Sequence, residues 1–212
     1  SILESFSDPV GVYKQNIEIA LSALQMAYSA GAILLNVSSY VYGVVPCPPA
    51  SETDPVKSSN PYMGSKIAIE KILTDLAEVL NVGLVTFRPS NIYGHGQRRD
   101  MLISSLIQAA YEDNVVVVND PKPIRDYLYI ADFSDLILSL IKTGRQFVGE
   151  TFNVGSGVAY NNYEVAELVR EQFCIEAQVR VLNNRRTADI LDGSLDITKV
   201  KAALGWEPQY SL

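Results

Sequence analysis

Two strand-length apolar runs flank one long helical stretch, and this order constrains the fold more than anything else in the chain. Ile33-Leu34-Leu35-Asn36-Val37 reads as a buried strand. Beyond Gly64 neither Gly nor Pro interrupts the chain, and Ile67, Ile69, Ile72, Leu73, Leu76, Val79 and Leu80 recur at helical spacing. Asn81-Val82-Gly83 then precedes a second strand, Leu84 to Phe87. Helix, strand, helix, strand implies parallel strands joined by right-handed crossovers. Ligands of such a sheet bind beyond the carboxyl ends of its strands.

The chemistry-bearing residues fall at that end. Ser38 closes the first apolar run, so its hydroxyl emerges where a ligand would sit. Pro61 can open the helix, which makes Tyr62 and Lys66 i and i+4 on one face. An ammonium beside a phenol favours the phenolate, and a phenolate can act as general base toward an alcohol. The bland alternative is a surface tyrosine near a solvated lysine, since Tyr-x-x-x-Lys is common by chance.

Composition narrows the class. The 212 residues are 48% hydrophobic and 19% charged, enough for a sizeable core. No apolar run approaches the ~20 residues of a membrane span, and no basic, apolar leader opens the chain. A net charge of −7 argues against nucleic acid as a partner, while leaving room for an anionic small ligand held by a few arginines. Cys47 and Cys174 lie far apart, and His95 is the one histidine, so no metal site, redox pair or histidine triad is expected. A reduced, cytoplasmic protein is the default expectation.

Along the chain, Ser1 to Pro9 is polar and capping-like. Val10 to Tyr28 is a helix striped by Ile17, Leu21, Leu24 and Tyr28, and Gly31 stops it. Val44 to Asn60, rich in proline, is a loop. After Tyr93-Gly94-His95-Gly96-Gln97, also a loop, Met101 to Tyr111 is a helix and Val115 to Val118 a strand. Ala131 to Thr143 is a helix opened by Asp132; Thr151 to Val154 is a strand; Tyr163 to Gln172 is a helix; Val179 to Leu182 is a strand. A short helix follows Lys199. The helices at 10–28 and 62–80 carry apolar residues on more than one face, which suits a second subunit as well as the sheet.

Taken together, Ser38-Ser39, Tyr42-Gly43, Tyr62-x-x-x-Lys66 and Arg88-Pro89-Ser90-Asn91-Ile92-Tyr93-Gly94 resemble the extended short-chain dehydrogenase/reductases, in the nucleotide-sugar epimerase/dehydratase branch. The resemblance implies an α/β fold: part of a doubly wound, Rossmann-type parallel sheet with a smaller α/β substrate-binding lobe. Residues 1–91 and 132–149 would be the cofactor side, and 92–131 and 150–212 the substrate lobe. It implies Ser38, Tyr62 and Lys66 as catalytic, with Asn16 and Pro89 joining them around NAD or NADP. Asn16 is otherwise a solvated amide within a helix. Ile124-Arg125-Asp126-Tyr127 looks like the family's Arg-Asp-aromatic motif, and Arg186-Thr187-Ala188-Asp189 like its Arg-x-x-Asp. These make Ser39, Asn91, Arg125, Arg186 and Asp189 the expected contacts to a nucleotide-diphosphate sugar, guanidinium suiting phosphate by its two-pronged geometry. Surface salt bridges are the alternative for both arginines. Leu204-Gly205-Trp206-Glu207-Pro208 resembles the family's C-terminal signature, and a homodimer is implied.

Two departures matter. The Gly-x-x-Gly-x-x-Gly turn and ribose-binding acid of the family lie outside this sequence, so the pyrophosphate cradle is expected upstream of Ser1. The strand at 33–38 would then be an open edge, and residues 1–212 alone are expected neither to hold NAD nor to stay soluble and monomeric. Second, the family's 4,6-dehydratases carry Asp-Glu after the catalytic Ser/Thr, where this chain has Ser39-Tyr40. Elimination of water is therefore not expected. The leading expectation is an epimerase, in which Tyr62 takes the sugar hydroxyl proton and a keto sugar forms transiently. The alternatives are a 4-ketoreductase using the same residues and a non-catalytic scaffold of the same fold.

Overall fold

The computed structural model describes residues 2–112, 115–173, 178–184 and 190–212. The chain opens with α1 (Ile2–Ser7), a short helix where the sequence suggested only a polar cap. Asp8 does act as a cap: its Oδ1 accepts the Gly11 N–H at 2.8 Å and starts α2 (Pro9–Ala30). Gly31 ends α2 at φ 62°, a left-handed conformation that suits glycine. Next come β1 (Leu34–Val37), α3 (Pro61–Leu80) and β2 (Leu84–Pro89). Asn60 caps α3, its side chain accepting the Met63 N–H at 2.9 Å, and Asn81 closes the helix in the left-handed region.

After β2 the chain makes β3 (Asn91–Tyr93), α4 (Leu102–Glu112), β4 (Val115–Val118), β5 (Ile124–Tyr129), α5 (Ile130–Thr143) and β6 (Thr151–Val154). It ends with β7 (Ala159–Asn161), α6 (Asn162–Phe173), β8 (Gln178–Val181), β9 (Asp192–Gly193) and α7 (Thr198–Leu204). One sheet runs β1-β2-β6, all parallel. A second joins β3, β5 and β7, with β9 on β5, and β4 pairs with β8.

Period-two alternation in β2 builds the layers. Leu84 turns toward α2 and α3, where Leu24, Ile69, Leu73 and Ala77 are buried. Val85 and Phe87 turn the other way, into a larger core with Phe152, Val154, Leu136, Leu140, Val200 and Trp206. A separate core packs around Leu106, Val116, Val118, Tyr127, Val165 and Val169. The α2–α3 contact is close at Gly64, where a Cβ would collide with the Tyr13 hydroxyl. On their outer faces α2 and α3 leave Val10, Ile19, Met26 and Val79 exposed, in keeping with the second apolar face read from the sequence.

Two expectations need correction, and one segment gains an assignment. Thr151–Val154 is the third strand of the β1-β2-β6 sheet and Val200 and Trp206 belong to its core, so the 150–212 segment is not wholly a substrate lobe. Asp132 does not cap α5; it is buried and accepts the Gln209 and Tyr210 N–H groups at 2.8 and 3.1 Å. The segment at 124–129, left unassigned from sequence, is a strand paired to three others. No helix among the described residues is long and apolar enough to cross a membrane.

Candidate active site

β1 ends at Val37, and Val37 and Ser39 stand beside the first turns of α3. The Lys66 ammonium donates to the Val37 carbonyl at 3.2 Å, while Ser39 stands near enough to the Tyr62 phenol to lower it. Ser38 lies between these two residues. It is 4% exposed, and its Oγ has no hydrogen-bond partner among the described residues. A dry hydroxyl without a partner costs free energy, so it marks a place where a ligand oxygen would be favourable.

Burial pushes the Tyr62 phenol up, and nearby Ser39 opposes it. Lys66 Nζ donates to the Val37 carbonyl and stands 5.9 Å from the Tyr62 ring centroid. Burial also lowers the Lys66 ammonium, with Glu70 partly restoring it. An ammonium has three donors, and the Val37 carbonyl takes one.

The other expected site residues are distributed around this centre. Asn16 reaches in from α2: its Nδ2 donates to Ser65 Oγ at 2.9 Å, and Ser65 donates to the Tyr62 carbonyl at 2.8 Å. It therefore steadies the turn that carries Tyr62. Pro89 is buried at the end of β2, and Asn91 is exposed at the start of β3. Arg125, half-buried on β5, donates to the Ile124 carbonyl at 2.7 Å and lies close enough to lower the Tyr40 phenol. Tyr40 is itself pushed up to about 12, chiefly by burial, and its hydroxyl donates toward the Gly43 and Asp192 carbonyls at 2.9 and 3.4 Å. Arg186 and Asp189 lie outside the described residues.

One important group was passed over in favour of its neighbour. Asp126, 1% exposed, accepts Ser156 N at 2.7 Å, Ser156 Oγ at 2.8 Å, Gly157 N at 3.0 Å and Ser90 Oγ at 3.2 Å. It locks the 155–157 turn to the segment between Pro89 and Asn91. The signal was present in Arg125-Asp126 followed by Gly155-Ser156-Gly157, but no local rule joins the two. Among the described residues no cluster of His, Cys, Asp or Glu could hold a metal ion.

Comparison with known proteins agrees with this geometry. Residues 1–155 match the model of the NAD dependent epimerase/dehydratase family. The low-salt glycan biosynthesis protein Agl12 of Haloferax volcanii is 31% identical over 81% of this chain and 54% of its own length. UDP-glucose 4-epimerase of Mycolicibacterium smegmatis is 26% identical over 100% of this chain and 69% of its own. DesIV, a dTDP-glucose 4,6-dehydratase from Streptomyces venezuelae solved with NAD bound, superposes with a TM-score of 0.87 at 23% identity, covering all of this chain and 66% of that one. The chain spans about half the length of the first curated relatives it matches. Curated relatives include both 4-epimerases and 4,6-dehydratases, so likeness alone does not choose between those reactions. The match over residues 1–155 decides the family: this chain belongs to the NAD dependent epimerase/dehydratase family.

Proposed function

We propose that the chain carries the catalytic floor of an NAD-dependent epimerase acting on a nucleotide-diphosphate sugar. The observation that carries the reading is Ser38 Oγ, buried and without a partner among the described residues, between the two residues beside Lys66 and Tyr62. Its orphaned hydroxyl fits a hydroxyl-bearing substrate, and the two remaining Lys66 donors fit the hydroxyls of a cofactor ribose. Lys66, Tyr62 and Pro89, with Asn16 behind them, would hold NAD. When bound, NAD supplies the acceptor and donor of hydride at the sugar carbon.

The residues of this chain handle the proton. Ser38 hydrogen-bonds the reacting sugar oxygen and fixes it beside Tyr62. Tyr62 takes the hydroxyl proton and later returns it. Because burial raises the phenol, the proton transfer needs a positive charge near its oxygen; Lys66 provides one when Nζ leaves the Val37 carbonyl. Asn91, Arg125, Arg186 and Asp189 would hold the nucleotide diphosphate, with Arg125 on β5 next to the Tyr40 side of the site.

Positions 39 and 40 favour epimerisation over dehydration. Elimination of water needs an acid and a base beside the sugar, and Ser39 and Tyr40 offer no carboxylate. Ser39 stands beside the Tyr62 phenol, and Tyr40 is held as a neutral phenol on main-chain carbonyls. The test is Tyr62→Phe in the full-length protein with UDP-hexose and NAD. Turnover should fall ~10²–10⁴-fold while nucleotide-sugar binding persists. Parent activity in this variant ends the assignment of Tyr62; a 4-keto-6-deoxy product from the parent ends the epimerase reading.

A further inference from the structure

A buried ionic network touches each segment that carries one of the proposed catalytic residues. Glu70 follows Lys66 by one helical turn, on the same face of α3. Its carboxylate takes Arg88 Nη2 at 2.6 Å and Nε at 3.1 and 3.2 Å, with both side chains nearly enclosed at 11% and 13% exposure. Arg88 immediately precedes Pro89. Its Nη1 donates to the Tyr42 hydroxyl at 2.9 Å, and its guanidinium carbon stands 5.1 Å from the Tyr42 ring centroid.

Tyr42 lies on the loop that begins at Ser38. Its hydroxyl donates to Asn153 Oδ1 at 2.6 Å on β6, and Asn153 Nδ2 donates to the Ala50 carbonyl at 2.9 Å. The Asn153 N–H is taken by Glu52 at 2.7 Å. The network thus ties α3, β2, β6 and the loop after β1 into one unit. Every member of it has a partner, as a buried polar network requires.

We propose that Arg88 and Glu70 are positioning residues: their buried pair sets the rotation of α3 that turns Tyr62 and Lys66 toward Ser38. The proposal rests on the proton-transfer roles given to those three residues above. Burying a salt bridge gains little stability over an apolar pair, because desolvation offsets the attraction. What the pair provides is direction. A guanidinium bound through several nitrogens to one carboxylate accepts few orientations, and a helix fixed at Glu70 cannot roll without breaking it. A roll that shifts Tyr62 by about an ångström can cost on the order of 10²-fold in rate.

The test uses Arg88→Lys in the full-length protein, with Tyr62→Phe run alongside. Lysine keeps the charge but cannot engage Glu70 and Tyr42 together. The expected result is kcat reduced about 10–10²-fold, with KM and the calorimetric Kd values for NAD and UDP-hexose within about threefold of the parent. Should that variant fail to fold, Glu70→Gln is read in the same way. Unchanged kcat in a folded variant, while Tyr62→Phe is inactive, overturns the positioning role and leaves the function intact. Equal losses in kcat and in both affinities overturn it too, by marking a merely structural pair. Turnover by Tyr62→Phe overturns the functional reading itself, and the positioning role falls with it.

Discussion

Ser38, just past the carboxyl end of β1, and Asp126, within β5, are both buried polar groups, yet their surroundings are opposite. Asp126 collects four hydrogen bonds from Ser156, Gly157 and Ser90. Ser38 Oγ has none among the described residues. Burial raises the Asp126 carboxyl, and each of those donors acts in the other direction. A buried group that is fully satisfied is part of the scaffold, whereas one left unsatisfied is waiting for a partner from outside. The contrast separates support from chemistry more sharply than depth in the fold does.

Substitutions can break or sharpen that contrast. Beyond the loss expected for Tyr62→Phe, the largest effect should come from Ser38→Ala. Removing a donor to the reacting oxygen should reduce kcat by about 10²-fold. Thermal stability should hold or rise, because the change deletes a polar atom without orphaning another. A clear drop in melting temperature would put Ser38 in the same class as Asp126.

Arg125→Ala comes next. Loss of a charged contact to phosphate should weaken nucleotide-sugar binding by roughly 1.5–3 kcal/mol and leave NAD affinity alone. Calorimetry giving the parent's sugar-nucleotide affinity would remove Arg125 from the substrate site.

The smallest change in catalysis, and the clearest in stability, belongs to Asp126→Ala. It strands the donors of Ser156, Gly157 and Ser90, at a cost of about 1–3 kcal/mol, some of it recovered by water. Denaturant unfolding reads this directly. A variant as stable as the parent would mean that the four hydrogen bonds do not hold the 155–157 turn in place.

Much of the site could be read from neighbouring residues. Tyr62 and Lys66 share a face because the helix period places i and i+4 together, and α3 runs over Pro61–Leu80 where the apolar spacing ran over 62–80. Ser38 follows β1 directly, as a strand ending at Val37 requires. The roles of side chains that reach across the fold were less legible. Asp132 read as a helix cap because it stands at a helix start, but its partners are Gln209 and Tyr210, far along the chain. Arg125-Asp126 sits in a strand whose polar start masks its periodicity, and only pairing with β3, β7 and β9 makes it one.

The sequence by itself determined what periodicity and residue chemistry can encode: parallel strands joined by helices, the α3 pair, the hydroxyl at the end of β1 and the family they belong to. Tertiary structure decided which groups meet across long stretches of chain. It joined β6 to β2, brought Arg88 to Glu70 and Tyr42, and turned Lys66 to the Val37 carbonyl. It also decided the sign of the Tyr62 shift, since spacing reports a nearby charge but burial depends on what the rest of the chain packs over the ring. Local order follows from neighbours in sequence; desolvation and long-range pairing follow only from the packed whole.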